Sequence, residues 1–194
     1  MKQIFTFPLG QLQANCYLLV SDGKALVIDP GGPPQAVLHK LTALGAELET
    51  VLLTHTHFDH MLGVPALLRE GVRLLVPEKD AVGLTDGQYN LTSLWGMGFL
   101  PPLHADRLLR EGDTVTCGEF RLTTWHTPGH TAGCSCYLTD SALFSGDTLF
   151  EGSYGRVDLP GGDPAAMQRS LARLMQELPR PLTVYPGHGG AFVF

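Results

Sequence analysis

The sequence is poor in basic residues and has no long apolar run. Its 13 Lys and Arg residues stand against 19 Asp and Glu, for a formal net charge of -6, which argues against nucleic acid and anionic membranes as partners. Proline and glycine interrupt the first residues before the apolar region of a secretion signal can form, and no later run is long enough to cross a bilayer. We therefore expect a cytoplasmic protein that binds neither nucleic acid nor membrane.

Cysteine is scarce as well, with four residues in the chain. Their number and spacing exclude a disulfide-rich scaffold and a zinc ribbon, and fit a reducing compartment. Cys134 and Cys136 could form a redox or metal-binding pair. Alternation along a strand would instead turn both thiols to one buried face, and we favour that interpretation.

Apolar residues make up 44% of the 194 residues, which is enough for one core, and we expect one domain over residues 1–194. The predicted strands are 15–20, 24–29, 50–54, 72–76, 114–117, 120–125, 134–138, 142–145 and 182–185, and the predicted helices are 33–44, 62–69 and 163–178. Residues 84–108 contain Tyr89, Trp95 and Phe99 without a period, which is typical of a loop that covers a substrate. This order of elements allows either a doubly wound sheet or two packed sheets covered by helices.

Five of the eight histidines lie in four short motifs that also contain two aspartates. The first motif follows the strand predicted over 50–54, and the three others are Gly-His or Gly-Asp pairs near the ends of later strands. Imidazole nitrogen and carboxylate oxygen are ligands for zinc, iron and manganese, with three or four protein ligands for each ion. The candidate metal ligands are His55, His57, Asp59, His60, His130, Asp147 and His188. Their number predicts two divalent metal ions, of which zinc is the first choice.

The other three histidines have weaker support. His39, in the first predicted helix, and His104, in the loop, are expected to be solvated or structural. His126, four residues before His130, could orient a metal ligand, although an ordinary structural role is the stronger interpretation.

The motifs Thr-His-Thr-His-Phe-Asp-His, His-Thr-Pro-Gly-His-Thr, Phe-Ser-Gly-Asp-Thr-Leu-Phe and Tyr-Pro-Gly-His-Gly resemble those of the metallo-β-lactamase superfamily. They are most similar to the hydroxyacylglutathione hydrolases (glyoxalase II), here in a short form without the C-terminal helical domain. The resemblance implies an α/β fold, a four-layer αββα sandwich in which two mixed sheets pack face to face. It also implies one ion on His55, His57 and His130, and a second on Asp59, His60 and His188. Asp147 would bridge the two ions.

Two adjacent ions can activate a water molecule and polarise a carbonyl group, and a thiolate leaves readily, so this site suits thioester hydrolysis. In the glyoxalase II-like interpretation Asp59 and Asp147 are the catalytic carboxylates, and the substrate is a small-molecule thioester such as a hydroxyacyl-glutathione. The alternatives are a mononuclear-iron persulfide dioxygenase, a metal-dependent lactone or phosphodiester hydrolase, and a binding protein without catalysis. The sequence leaves the oligomeric state open.

Recognition of glutathione has weak support in the sequence. The tyrosine that the family carries beyond the last histidine is replaced in Gly189-Gly190, and its other glutathione-contacting tyrosine aligns near Asp158. Arg156 matches a lysine of the family. It could bind a substrate carboxylate or form a salt bridge within its own loop, and the two interpretations are equally supported. The apolar end, 190–194, raises the question of what covers the core at that edge.

Overall fold

The computed structural model describes residues 1–96 and 100–194 and contains two six-stranded sheets. The first sheet contains, in spatial order, β1 (Gln3–Leu9), β2 (Ala14–Ser21), β3 (Lys24–Ile28), β4 (Glu47–Leu52), β5 (Arg73–Pro77) and β6 (Arg107–Leu109). The second contains β7 (Thr114–Cys117), β8 (Phe120–His126), β9 (Ser135–Leu138), β10 (Ala142–Gly146), β11 (Thr183–Pro186) and β12 (Phe192–Val193). Each sheet mixes parallel and antiparallel pairs.

The two sheets pack face to face through their alternate apolar residues. Leu19, Leu26 and Leu52 of the first sheet share one buried cluster with Leu122 and Phe144 of the second. This alternation explains the strand signals in the sequence, because residues two apart point to the same face. The pattern favoured two architectures, and the structure has two packed sheets rather than one doubly wound sheet.

Helices cover both outer faces. The helices are α1 (Gln35–Leu44), α2 (Phe58–Met61), α3 (Val64–Leu67) and α4 (Pro164–Glu177), and a 3-10 helix covers Glu78–Leu84. Val37 of α1 and Val64 of α3 pack on the first sheet, whereas Leu174 of α4 packs on the second. Asp163 caps α4 by accepting hydrogen bonds from two backbone N–H groups of its first turn. The four layers are therefore α, β, β and α, as the resemblance implied.

Several local expectations were wrong. The helix expected over 62–69 is shortened to the one-turn helix α3, and the separate one-turn helix α2 precedes it, because the chain turns at Gly63, whose N–H donates to the carbonyl of Pro30. Strands β1, β6 and β12 were missed. Residues Phe192–Val193 form β12, which pairs with β11 at the edge of the second sheet. Phe192 also packs against the apolar cluster beneath α4, so these residues cover the core at that edge. Phe99 of the expected covering loop lies outside the described residues.

The cysteines are buried and unbonded, as favoured for Cys134 and Cys136, and burial raises the pKa of both thiols. Among the described residues, no helix is long and apolar enough to cross a membrane.

Candidate metal centre

The seven predicted ligands come from four places where a strand ends. His55 and His57 follow β4, and Asp59 and His60 lie on α2, which begins at the next residue. His130 follows β8. Asp147 comes directly after β10, and His188 comes two residues after β11. The first sheet thus supplies four of the side chains and the second sheet three.

The structure brings all seven side chains together at one end of the sandwich. His57 Nδ1 and His130 Nε2 lie 2.8 Å apart, and His55 packs edge-on against both rings. His188 Nε2 lies 3.3 Å from Asp59 Oδ2. The donor atoms of His55, His57 and His130 form one compact group, and those of Asp59, His60 and His188 form another.

Asp147 lies between the two groups. One of its carboxylate oxygens is 3.4 Å from His60 Nε2, and the other is 3.5 Å from His130 Nε2 and 3.7 Å from His188 Nε2. Asp147 thus lies within 3.7 Å of histidine nitrogens from both groups.

The donor set fits metal ions because buried polar atoms in it have no other partner. His55 Nε2, His57 Nε2, His60 Nε2 and Asp147 Oδ1 are buried and make no hydrogen bond. A buried polar atom without a partner costs about 1–3 kcal/mol, and four of them in one place are unusual. Nitrogen and carboxylate ligands of this kind suit zinc, iron and manganese.

Burial and mutual charge set the protonation of these groups. Burial lowers the pKa of His55 well below its usual value, and it lowers the pKa of His57 to about 3, so both rings are neutral at pH 7. Burial opposes the charged form of His60 too, but Asp147, Asp59 and Asp29 outweigh it and raise the pKa of His60 to about 10. Burial would raise the pKa of Asp59, but His60 and His188 lower it below its usual value.

Asp29 was missed in the sequence, although it orients a candidate ligand. Its carboxylate accepts hydrogen bonds from His60 Nδ1 at 3.0 Å, from the Thr54 N–H at 2.7 Å and from the Thr54 hydroxyl at 2.6 Å. The bond to Nδ1 leaves Nε2 of His60 free to face the site. Asp29 has φ of 50°, in the left-handed region. The one signal in the sequence was an aspartate before Pro-Gly-Gly at the end of a strand, which is also an ordinary turn.

Asp80, in the 3-10 helix, was also missed, because it is a single aspartate whose partners, apart from Tyr89, are distant in the sequence. It is fully buried, and its carboxylate accepts hydrogen bonds from the Thr56 N–H, the Thr131 hydroxyl, the Gly133 N–H and the Tyr89 hydroxyl, at 2.8 to 3.0 Å. Burial raises the pKa of Asp80, although these four donors oppose that shift. Thr56 lies between two candidate ligands and Thr131 follows a third. Asp80 therefore fixes two ligand loops to each other.

The site packs so closely that Gly187 cannot be replaced without movement. A Cβ atom there would overlap Asp147 Oδ1 and would lie 2.9 Å from His60 Cε1. The glycine before His188 is thus required by the close approach of Asp147, beside the neighbouring strand of the same sheet, and of His60 from the first sheet.

A cavity of about 290 Å³ opens above the candidate ligands. His57, Asp59, His130, Asp147 and His188 form its floor, and its walls contain Leu12, Phe58, Leu91, Trp95, Phe150 and Leu159. Arg156 also lines it, but Asp158 binds its guanidinium group through two contacts of 2.8 Å. The carbonyl of Arg156 accepts a hydrogen bond of 2.7 Å from His130 Nδ1, which leaves the other ring nitrogen facing the site.

The remaining histidines lie outside the site. His39 and His104 are exposed. His126 Nε2 lies 3.0 Å from the carbonyl of Ala132 and contacts none of the seven candidate ligands. His126 thus supports the loop that carries His130 and does not orient a ligand directly.

Comparison with known families decides the family. The sequence model of the metallo-beta-lactamase superfamily matches residues 9–188. The chain belongs to that superfamily. Its sandwich of two sheets between helices is the metallo-β-lactamase fold, and the protein is a metallo-hydrolase of this superfamily.

Two relatives show the range of similarity. The chain is 35% identical over 191 residues to a probable metallo-hydrolase, YqgX, of Bacillus subtilis, covering 94% of this chain and 88% of the relative. It is 36% identical over 173 residues to a hydroxyacylglutathione hydrolase of Aeromonas hydrophila, covering 89% of this chain but 59% of that enzyme. The chain thus aligns over most of its own length with 59% of the second enzyme.

Two solved structures are similar over almost their full length. The BLEG-1 B3 metallo-beta-lactamase superposes with a TM-score of 0.91 at 35% identity, covering 98% of this chain and 94% of that one. TTHA1623, solved in a di-iron-bound form, has a TM-score of 0.83 at 36% identity, covering 97% and 94%.

Proposed function

We propose that this metallo-hydrolase cleaves thioesters with two divalent metal ions. His55, His57 and His130 would hold one ion, Asp59, His60 and His188 the other, and Asp147 both. The observation that carries the proposal is the convergence of buried ring nitrogens and one carboxylate oxygen that have no hydrogen-bond partner. Zinc is the first choice, and the di-iron form of TTHA1623 makes iron a second.

The bound ions would supply a hydroxide near neutral pH and polarise the thioester carbonyl. The hydroxide oxygen would bond to the carbonyl carbon, the carbon–sulfur bond would break with its electron pair passing to sulfur, and the proton of the resulting carboxylic acid would pass to the thiolate or to solvent. Asp59 is ionised and lies at the cavity floor, where its carboxylate can accept a hydrogen bond from the attacking oxygen and orient it. Asp147 would keep the two halves of the ligand set together.

The lining of the cavity favours a thioester over an amide. A thiol has a pKa near 8.5, so its thiolate leaves without a proton, whereas an amine must be protonated as it leaves. Apart from the candidate ligands, the described residues that line the cavity offer Arg156 alone as an ionisable donor, and Asp158 binds it. The substrate would therefore be a small-molecule thioester rather than an amide.

The proposal is tested by elemental analysis together with hydrolysis assays on the metal-loaded protein. We expect two metal ions per chain and hydrolysis of thioesters at rates well above those of a lactone or a phosphodiester. His188→Gln should lower the content to about one ion per chain, because three protein ligands hold each ion besides the shared one. His39→Gln, on the surface, is the matched control and should keep both ions.

A second candidate is hydrolysis of a β-lactam, favoured by the similarity to BLEG-1. Nitrocefin turnover without thioester turnover would support it and contradict the proposal. One iron per chain with oxygen uptake on a persulfide would instead support a dioxygenase.

A further inference from the structure

Among the described residues, most of the wall of the cavity above the candidate metal centre is apolar. Leu12 comes from the β1–β2 turn, Phe58 from α2, and Leu91 and Trp95 from the segment after the 3-10 helix. Phe150 and Leu159 complete the walls from the chain beyond β10. The rings of Phe58 and Trp95 lie 5.8 Å apart between centroids, which makes one wall aromatic.

Leu91 is held in this wall against its backbone preference. Its φ is 70°, a left-handed conformation that is unusual for a bulky residue, and it is 3% exposed. Asn90 fixes the conformation: its carbonyl accepts a hydrogen bond of 2.9 Å from the Phe58 N–H, and its side chain donates one of 2.7 Å to the carbonyl of Gly83. Strain of this kind persists where surrounding contacts impose it, and it is concentrated at binding sites.

The described residues that line the cavity offer no unpaired Lys or Arg side chain to an anionic substrate. Arg156 is the one Lys or Arg among the described lining residues, and its guanidinium group is paired with Asp158. Residues 80–106, which include the segment with Leu91 and Trp95, contain no Lys or Arg at all. Glutathione carries two carboxylates, and among the described lining residues these would meet apolar side chains and one arginine that is already paired.

We propose that the cavity binds an apolar acyl group and that the enzyme prefers thioesters of this kind to hydroxyacyl-glutathione. This inference rests on the proposed thioesterase function for its catalytic part. Apolar surface that leaves water for these walls supplies the binding energy, so an aromatic acyl group such as phenylacetyl fits better than lactoyl.

Four thioesters test the acyl group and the thiol of the substrate independently. They are the phenylacetyl and lactoyl thioesters of N-acetylcysteamine and of glutathione. We expect kcat/KM for phenylacetyl to exceed that for lactoyl by about tenfold or more on the same thiol. Glutathione should give no advantage over N-acetylcysteamine with the same acyl group. A tenfold preference for glutathione, or for lactoyl, would overturn the inference.

A binding measurement keeps the inference separate from the proposed function. In a Trp125→Phe background, the half-exposed Trp95 reports on the cavity through its fluorescence. The probes are two thioethers that cannot be hydrolysed, S-phenethyl-N-acetylcysteamine and S-(2-hydroxypropyl)-glutathione. The first should bind about tenfold more tightly. Such binding without turnover of any thioester would support the apolar acyl site and contradict the proposed thioesterase function. Efficient hydrolysis of lactoylglutathione above all other thioesters would support the thioesterase function and contradict the preference for an apolar acyl group.

Matched variants locate the effect. Leu91→Asn keeps a residue that tolerates the left-handed backbone but removes the apolar wall, and it should weaken phenethyl binding about tenfold. Leu94→Asn, at a side chain that is 62% exposed and does not line the cavity, should leave binding unchanged. Leu159→Asn, on a partly exposed loop, gives a second test should the buried Leu91 variant fold poorly. Equal effects of Leu94→Asn and Leu159→Asn would contradict the proposal.

A final variant tests the paired arginine. Asp158→Asn frees Arg156, and it should raise kcat/KM for glutathione thioesters relative to N-acetylcysteamine thioesters by about fivefold. An unchanged ratio would contradict the inference that glutathione is disfavoured because Arg156 is paired.

Discussion

Asp29 holds His60 by one ring nitrogen and holds the chain after β4 by two further hydrogen bonds. A carboxylate can accept all three, and its bond to Nδ1 fixes the tautomer that leaves Nε2 without a proton when the ring is neutral. One residue outside the candidate ligand set therefore decides whether His60 can face the site as a ligand.

Asp29→Asn should weaken metal binding by about 10- to 100-fold, because the amide group can turn a donor toward Nδ1 and disturb the tautomer. The free energy of unfolding of the metal-free protein should fall by about 1–3 kcal/mol. Competition with a chelating dye measures the affinity. Asp22→Asn is the control, since Asp22 is also left-handed but lies in an exposed turn. Equal affinities of the two variants would contradict the role of Asp29.

At the residue scale, the candidate metal ligands could be predicted from the sequence, but the aspartates that position them could not. His55, His57, Asp59 and His60 could be found because four potential ligands in six residues are improbable by composition. Asp29 and Asp80 could not, because each is a single aspartate whose partners lie 24 residues or more away, apart from Tyr89. Long-range hydrogen bonds leave no local pattern.

At the scale of elements, the 3-10 helix joins loops that belong to different sheets. Asp80 accepts a hydrogen bond from Thr56 beside the first sheet and from Thr131 and Gly133 beside the second. The charge is buried without a salt bridge, so four donors must compensate for it.

Asp80→Asn should lower the free energy of unfolding by about 2–4 kcal/mol, because its amide group faces backbone donors that it cannot satisfy. We expect kcat/KM to fall about tenfold in the molecules that fold, since a small displacement of the ligand loops is enough to reduce catalysis. Urea unfolding and steady-state kinetics test both effects. Asp86→Asn, at an exposed turn in the same region, should be nearly neutral.

Helix α4 is tied to β8 by a contact that depends on pH. Glu111 accepts hydrogen bonds from Arg173 of α4 and from the backbone N–H of His126. Burial opposes the charged carboxylate, but Arg173 and His126 outweigh it, and the pKa of Glu111 is lowered. A lowered folded pKa gives stability that is present above the unfolded value of 4.5 and is lost as the pH falls through the folded value.

Glu111→Gln should therefore cost less than about 1 kcal/mol at pH 7, because the pair is largely exposed to solvent. The difference from the wild type should shrink as the pH is lowered below 4.5. Urea unfolding at pH 7 and in steps toward pH 3.5 measures it. A difference that stays constant over this range would show that the contact does not depend on the charge of Glu111.

Elements with a clear period were predictable, and short elements held by neighbours were not. The hairpin of β2 and β3 and helix α4 agreed with the sequence because turn and capping residues mark their ends. The expected helix over 62–69 failed because the backbone contacts of Gly63 with another loop break it. Strand β12 has two residues, too few for any alternation to be read.

For the whole molecule, the order of strands and helices indicated a layered fold but left one doubly wound sheet and two packed sheets as alternatives. The choice between one sheet and two came from the resemblance of the motifs to a family. The pattern of apolar residues alone could not decide between one sheet and two, because the order of strands within a sheet depends on contacts between distant residues.

Removal of metal should lower the stability of the whole molecule. Free metal at 100 times its dissociation constant stabilises a folded protein by about 2.7 kcal/mol when the unfolded chain does not bind it. We expect a chelator to lower the Tm and added zinc to restore it, as measured by calorimetry. The His188→Gln variant should show a smaller shift, whereas a Tm that does not respond to a chelator in the wild type would contradict a metal site.

All strands of the first sheet end at or before Leu109, and all strands of the second lie at or after Thr114. The four intervening residues are the single covalent link between the four candidate ligands that the first sheet supplies and the three that the second supplies. A gene divided there would yield two fragments, each with an incomplete metal centre. Hydrolysis would then return only when the fragments reassociate, so the rate of hydrolysis would measure how much of the two fragments has assembled.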